Sequence, residues 1–180
     1  MVRNLGPLEN FFENYSYTFS YDSTESATSE FHRLCRVMSW ERDDPEQKEA
    51  YEEFRDALVM EFNENFGTDA NDLTSWQALC AAVRIDHIPD SLAEARRAML
   101  DIHVNLVDLT DGVDPAEILL FPTEKALSEY TISTHKIFPR ENVHSGSLLK
   151  ELLRHIFNPS SASTRVHRGR GSGRYRRSRY

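Results

Sequence analysis

Two groups of side chains have types and spacing that metal binding or catalysis would use. His32 and Cys35 lie three residues apart, so on a helix they project from one side and offer two of the ligands a zinc site needs. No second Cys/His pair at ligand spacing joins them, and Cys35 falls on an apolar stripe, so no metal is expected. The second group is Asp101, His103, Asn105, Asp108 and Asp111. On a continuous helix His103 points with Met99 and Leu106, while Asp101, Asn105 and Asp108 form another face, which reads as a core histidine beside a solvated acidic face. A histidine within reach of a carboxylate would supply a general base, so a small enzyme with a His–carboxylate site on the fourth helix is the alternative reading. The Glu-x-x-His pair of di-iron bundles is absent from this stretch, and the nucleophile elbow and the P-loop are absent from the chain. Gly169, Gly171 and Gly173 have no strand before them and no helix after them, so they are not a dinucleotide-binding turn. No cofactor is expected, and binding is favoured over catalysis.

The sharpest signal lies in residues 158–180, which carry seven arginines and no Asp or Glu. Arg165, Arg168, Arg170, Arg174, Arg176, Arg177 and Arg179 are spaced by Gly and Ser, with Tyr175 and Tyr180 among them. Flexible guanidinium groups interleaved with aromatic rings suit sequence-tolerant contact with single-stranded RNA. The same run suits an import receptor or a plain solubilising role. Ser178 stands between arginines as a candidate phosphorylation site, where a phosphate would remove up to about two positive charges.

The rest of the chain is acidic. The formal net charge of −8 includes the +7 of the tail, which leaves −15 on residues 1–157. Such a body repels nucleic acid over most of its surface, so RNA affinity belongs to the tail and a protein partner to the body. The 180 residues are 39% hydrophobic and 28% charged, enough for one globular core. No run of 18 or more apolar residues exists, and Met-Val-Arg-Asn-Leu-Gly-Pro lacks the apolar region of a signal peptide. The expectation is a soluble nuclear or cytoplasmic protein that is neither secreted nor membrane-bound. Cys35 and Cys80 sit in apolar contexts and are assigned to the core as free thiols.

The elements that position these groups read as helices. Tyr15 to Tyr21 alternates aromatic and hydroxyl residues, the period of an extended segment, so residues 1–21 are expected to form an extended aromatic clasp. Phe31, Leu34, Cys35 and Met38 put one face of a first helix inward. Asp44-Pro45-Glu46-Gln47 starts a second, which carries Tyr51, Phe54, Leu58 and Phe62 and stops at Gly67. A third runs from Asp72 to Val83. The capping box Ser91-Leu92-Ala93-Glu94 opens a fourth, whose stripe through Met99, Ile102, Leu106 and Leu109 reaches Gly112. Leu100, Ile102, Val104 and Leu106 also alternate, so a strand over 102–109 paired with 118–121 competes with that helix. Pro122 opens a fifth helix, and Leu148, Leu149, Leu152, Leu153 and Ile156 form the buried face of a last one before Pro159. The fold class is therefore mainly α, a compact bundle or short stack of about six helices over 22–157, followed by a disordered tail over 158–180.

Shifting the chain by 45 residues aligns Phe31 with Trp76, Leu34 with Leu79, Cys35 with Cys80 and Gly67 with Gly112, the period of a two-helix solenoid repeat. Chance helix spacing is favoured over duplication as the explanation of these matches. Glu30-Phe31-x-x-Leu34-Cys35, Gly67-Thr68-Asp69, Asp72-Leu73-x-x-Trp76-Gln77-x-Leu79-Cys80 and His103 to Leu109 resemble a family of small uncharacterised fungal proteins over residues 11–157. That resemblance implies a shared fold and assigns no activity. The leading expectation is a non-enzymatic binding or adaptor protein, with a self-assembling structural protein as a further alternative.

Overall fold

In a computed structural model the chain is described over residues 5–111 and 116–157, and it is mainly helical. The helices are α1 (Pro7–Glu13), α2 (Ala27–Val37), α3 (Pro45–Phe66), α4 (Leu73–Ala82), α5 (Leu92–Leu100), α6 (Leu106–Thr110), α7 (Glu124–Thr134) and α8 (Ser147–Phe157). β1 (His103–Val104) pairs antiparallel with β2 (Leu120–Phe121), with His103 opposite Phe121.

α3 is the central element. Pro45 presets its first turn, and Ala50, Phe54, Ala57, Leu58, Val59 and Phe62 recur on its buried side. It ends at Gly67, where φ is +86° and a Cβ would lie 2.6 Å from the Ser75 hydroxyl, so only glycine fits both the backbone and the space. Asp44 sits at the helix start, but its carboxylate accepts from the Glu41 amide instead of capping α3. Trp76 of α4 is fully buried, and its indole N–H donates to the Ala70 carbonyl at 2.8 Å, which satisfies the one polar atom it takes into the core. α8 closes the core with Leu148, Leu149, Leu152 and Leu153. Its start is locked to the α3–α4 loop, because the Leu148 amide and the Ser147 hydroxyl both donate to the Thr68 carbonyl.

The helices expected around 27–37, 45–66, 73–82, 124–134 and 147–157 are present, the fourth is cut short at 92–100, and two shorter helices join them. The first is α1, which replaces most of the expected extended clasp. Phe11 and Phe12 are helical, and the amides of Tyr15, Ser16, Thr18 and Phe19 bond three or four residues back in successive turns. The backbone satisfies itself locally, and among the described residues no strand runs alongside to accept an extended ladder. The aromatic residues then meet by folding back: Tyr21 stacks on Phe12 at 4.2 Å, and Phe19 lies 5.8 Å from it.

The second correction concerns residues 92–110. Neither a continuous fourth helix nor an eight-residue strand forms. α5 stops at Leu100, β1 contributes two residues, and Asn105 caps α6 by accepting from the amides of Val107 and Asp108. An Asn side chain that takes over these amides offers the backbone an alternative to continuing the helix. His103 therefore leaves the stripe of Met99 and Leu106 and sits half-buried in β1. Asn105 and Asp108, expected on a solvated face, are buried, while Asp101 is exposed.

The 45-residue shift has a local counterpart. α2 and α4 end alike, with Ser39 and Arg84 left-handed at φ 56° and 59°. The Trp40 amide donates to the Cys35 carbonyl as the Ile85 amide does to that of Cys80, both at 3.0 Å, the Schellman pattern. The likeness stops there, since α3 is unbroken over 22 residues while the matching stretch is split into α5, β1 and α6. The expected disordered tail lies outside the described residues.

Candidate binding cleft

Arg165, Arg168, Arg170, Arg174, Tyr175, Arg176, Arg177, Ser178, Arg179 and Tyr180 all lie outside the described residues. Of the remaining candidates, His32 and Cys35 open onto a cleft of about 650 Å³ between α2, α3 and the segment after α7. That volume is in the range of small-ligand and side-chain pockets. Phe31, Phe54 and Leu58 form its buried floor, with the first two rings stacked at 4.7 Å. Trp40, Tyr51 and Ile137 stand on its walls, and Arg42, Lys48, Arg55, His32 and His135 supply its polar lining. No Asp or Glu is among the lining residues, although Asp and Glu number 29 in the chain against 21 Lys and Arg.

The cations are weakly engaged elsewhere. Arg55 donates to both carboxylate oxygens of Glu52 at 2.9 Å, one turn earlier on exposed helix surface, and Lys48 lies 3.5 Å from the exposed Asp43. Solvent-exposed pairs of this kind contribute about 0.2–1 kcal/mol and exchange readily for a better anion. Cys35 is half-buried rather than a core residue, and burial pushes its thiol up, away from the thiolate that a nucleophile needs. Cys80 is fully buried as expected. The His32 ring meets His135 edge-on at 6.1 Å. Shielding from water, then His135, then Arg36 hold the His32 imidazole below its ordinary value.

The wall that carries His135 and Ile137 is held from behind by a buried polar network. His135 ends α7 in the left-handed conformation, and the next residue, Lys136, turns inward to bond Asp108 Oδ1 at 2.5 Å and the Tyr130 hydroxyl at 3.2 Å. Burial alone would lower the Lys136 ammonium, but the bond and charge of Asp108, followed by Tyr130, raise it above its usual range. Asn105 Nδ2 donates to the Lys136 carbonyl and to Thr131 Oγ1, both at 2.9 Å. One asparagine thus caps α6 and ties down the cleft wall. Asp111 completes the cluster: Oδ2 accepts from the Ala27 amide at the start of α2. Among the described residues Asp108 Oδ2 and Asp111 Oδ1 are buried with no hydrogen-bond partner. Burial pushes the Asp111 carboxyl up to about 7, with Asp108 adding to the shift while Lys136 and the Ala27 amide oppose it.

His32 faces another imidazole, and among the described residues no carboxylate lies within ion-pair distance of His32 or His103. Among the same residues no three His, Cys, Asp or Glu side chains are grouped to hold a metal ion, and no helix is long and apolar enough to cross a membrane. An aromatic floor under a ring of cations is complementary to an anion with an apolar or aromatic body. Sequence reasoning found His32 and Cys35 but missed Arg42, Lys48, Arg55 and His135, which follow no motif. The only local hint is the aromatic-then-cation order of Trp40 and Arg42 just past a helix end.

Compared with known proteins, the chain matches no family model, no curated protein and no solved structure. The functional reading therefore rests on the geometry.

Proposed function

We propose that the protein is a non-enzymatic binding protein whose helical body takes an acidic, aromatic-bearing segment of a partner protein into the α2–α3 cleft. The carrying observation is the charge reversal: a body of net negative charge lines this one apolar cleft with Arg42, Lys48, Arg55 and two histidines and with no carboxylate. Charge complementarity steers such a segment to the cleft and away from the acidic remainder of the body. The aromatic floor adds the buried anchor that gives interfaces most of their affinity.

Trp40 in the cleft and the fully buried Trp76 are the only tryptophans, so ligand entry is read by Trp40 fluorescence. The probe is a blocked peptide of glutamates flanking a phenylalanine. The expected result is saturable quenching or shift that weakens at least about tenfold in the Arg42→Glu/Lys48→Glu variant, a loss of about 1.4 kcal/mol or more. Equal binding by the variant, or equal binding of a lysine-for-glutamate peptide, overturns the assignment.

The tail supports a second contact. Seven arginines without an acidic residue favour RNA, held through Arg165, Arg168, Arg170, Arg174, Arg176, Arg177 and Arg179 and stacked on Tyr175 and Tyr180. Affinity for single-stranded RNA should fall steeply with salt and vanish in a 1–158 truncation. Absence of binding by either form assigns the arginines to an import receptor or to solubility.

A further inference from the structure

His32 comes from the middle of α2 and His135 from the residue that ends α7, and the tertiary fold sets their rings perpendicular at 6.1 Å. His135 and Arg36 act on His32 through their charge, and Arg42 in the α2–α3 connection and Lys48 and Arg55 on α3 line the same cleft, the last two paired outside its lining with Asp43 and Glu52. Cys35 and Tyr51 also line the cleft, and burial pushes the Cys35 thiol up. Lys136, next to His135, is engaged by Asp108 behind the wall. With the cleft empty, a proton on His32 is opposed by the partial burial of its ring and then by His135 and Arg36. An anion seated beside them reverses that balance, because an added proton then gains an opposite charge at close range in a partly dry site.

We infer that seating an acidic segment in the cleft is coupled to proton uptake by the His32–His135 pair, so that the protein holds its partner more tightly as the pH falls from about 8 to about 5.5. The inference rests on the cleft being the acidic-segment site. A linked proton changes affinity by at most tenfold per pH unit, and glutamates stay largely ionised over this range. An overall gain of about three- to tenfold is expected.

A competing source of pH dependence lies one contact away. Asp111 accepts from the amide that begins α2 and takes a proton in the same window. The test therefore uses the full chain and the glutamate–phenylalanine peptide, titrated from about pH 8 to about pH 5.5 with wild type, His32→Gln/His135→Asn and Asp111→Asn. Asparagine is chosen at 135 because it tolerates the left-handed backbone there. Calorimetry in buffers of different ionisation enthalpy counts the protons. The expected result is net proton uptake and a pH-dependent affinity in wild type and in Asp111→Asn, with both reduced to less than about twofold in the double histidine variant. Wild-type binding that is independent of pH and takes up no proton overturns the inference while leaving the cleft assignment intact. Binding at no pH overturns the cleft assignment itself. A pH dependence that survives in the histidine variant but disappears in Asp111→Asn overturns the inference in favour of the carboxyl.

Discussion

Around α1 and α3 the chain is held by rings. Phe11, Phe12, Phe19, Tyr21, Phe31 and Phe54 meet one another at 4.2–6.2 Å, and Arg33 covers Phe19 at 4.1 Å. Between α6 and α7 the chain is held by Asn105, Asp108 and Lys136, with Asp111 and Tyr130 beside them. Both regions are buried and both support the cleft, the first from beneath and the second from behind. They differ in how they fail. Apolar packing loses stability in proportion to the surface and volume removed. A buried ionic network is poised, because each group is tolerated only while its partner is present.

The largest effect separating the two is expected in the aromatic region. Phe12 is 1% exposed and touches rings on α1, α3 and the fold-back after α1, so Phe12→Ala should cost about 3–5 kcal/mol in denaturant unfolding. A loss below about 1 kcal/mol would mean that the rings do not form one packed unit.

In the polar region, Lys136→Ala leaves Asp108 buried without its cation and should cost on the order of 3 kcal/mol. It should also weaken the acidic peptide, since the segment carrying His135 loses its anchor. Pairing Lys136→Met with Asp108→Leu sharpens the contrast, because removing both charges should restore much of the stability while removing one does not. If the double variant is no better than Lys136→Ala, the network behaves like the aromatic packing and the distinction falls.

A further contrast is a dependence on pH. The Asp111 carboxyl, raised from 3.8 to about 7, binds its proton more tightly in the folded than in the unfolded chain. Its contribution to stability is therefore greatest below about pH 4, declines as the pH rises, and is lost above about 7. Thermal midpoints should fall across that window, and Asp111→Asn should flatten this part of the slope. A rising midpoint that Asp111→Asn leaves unchanged would remove Asp111 from the polar cluster.

The two regions were also unequally legible. α3, α4 and α5 announce themselves through Pro45, Gly67, Asp72 and the Ser91/Glu94 pair, which act within one turn. The Ser91 hydroxyl does accept from the Glu94 amide and donate to its carboxylate. Tyr15 to Tyr21 misled because an alternating pattern describes a strand only when another strand is there to pair with it. Residues 101–111 misled for the reason that Asn105 ends one element and starts the next, so an apolar stripe that runs on through the break mimics a continuous helix. The cleft was half legible: His32 and Cys35 share a helix face, whereas Arg42, Lys48, Arg55 and His135 converge from separate elements.

What the amino-acid sequence determined by itself was the helical class, most helix starts and stops, the apolar faces and the division of charge between body and tail. These are local or additive properties, set by capping, periodicity and composition. Only the tertiary structure decided that Asp108 is buried against Lys136, 28 residues away, and that His135 stands across from His32 above an aromatic floor. Burial and opposition of charges depend on which helix faces which, and that is fixed by the packing of the whole core rather than by any short stretch of chain.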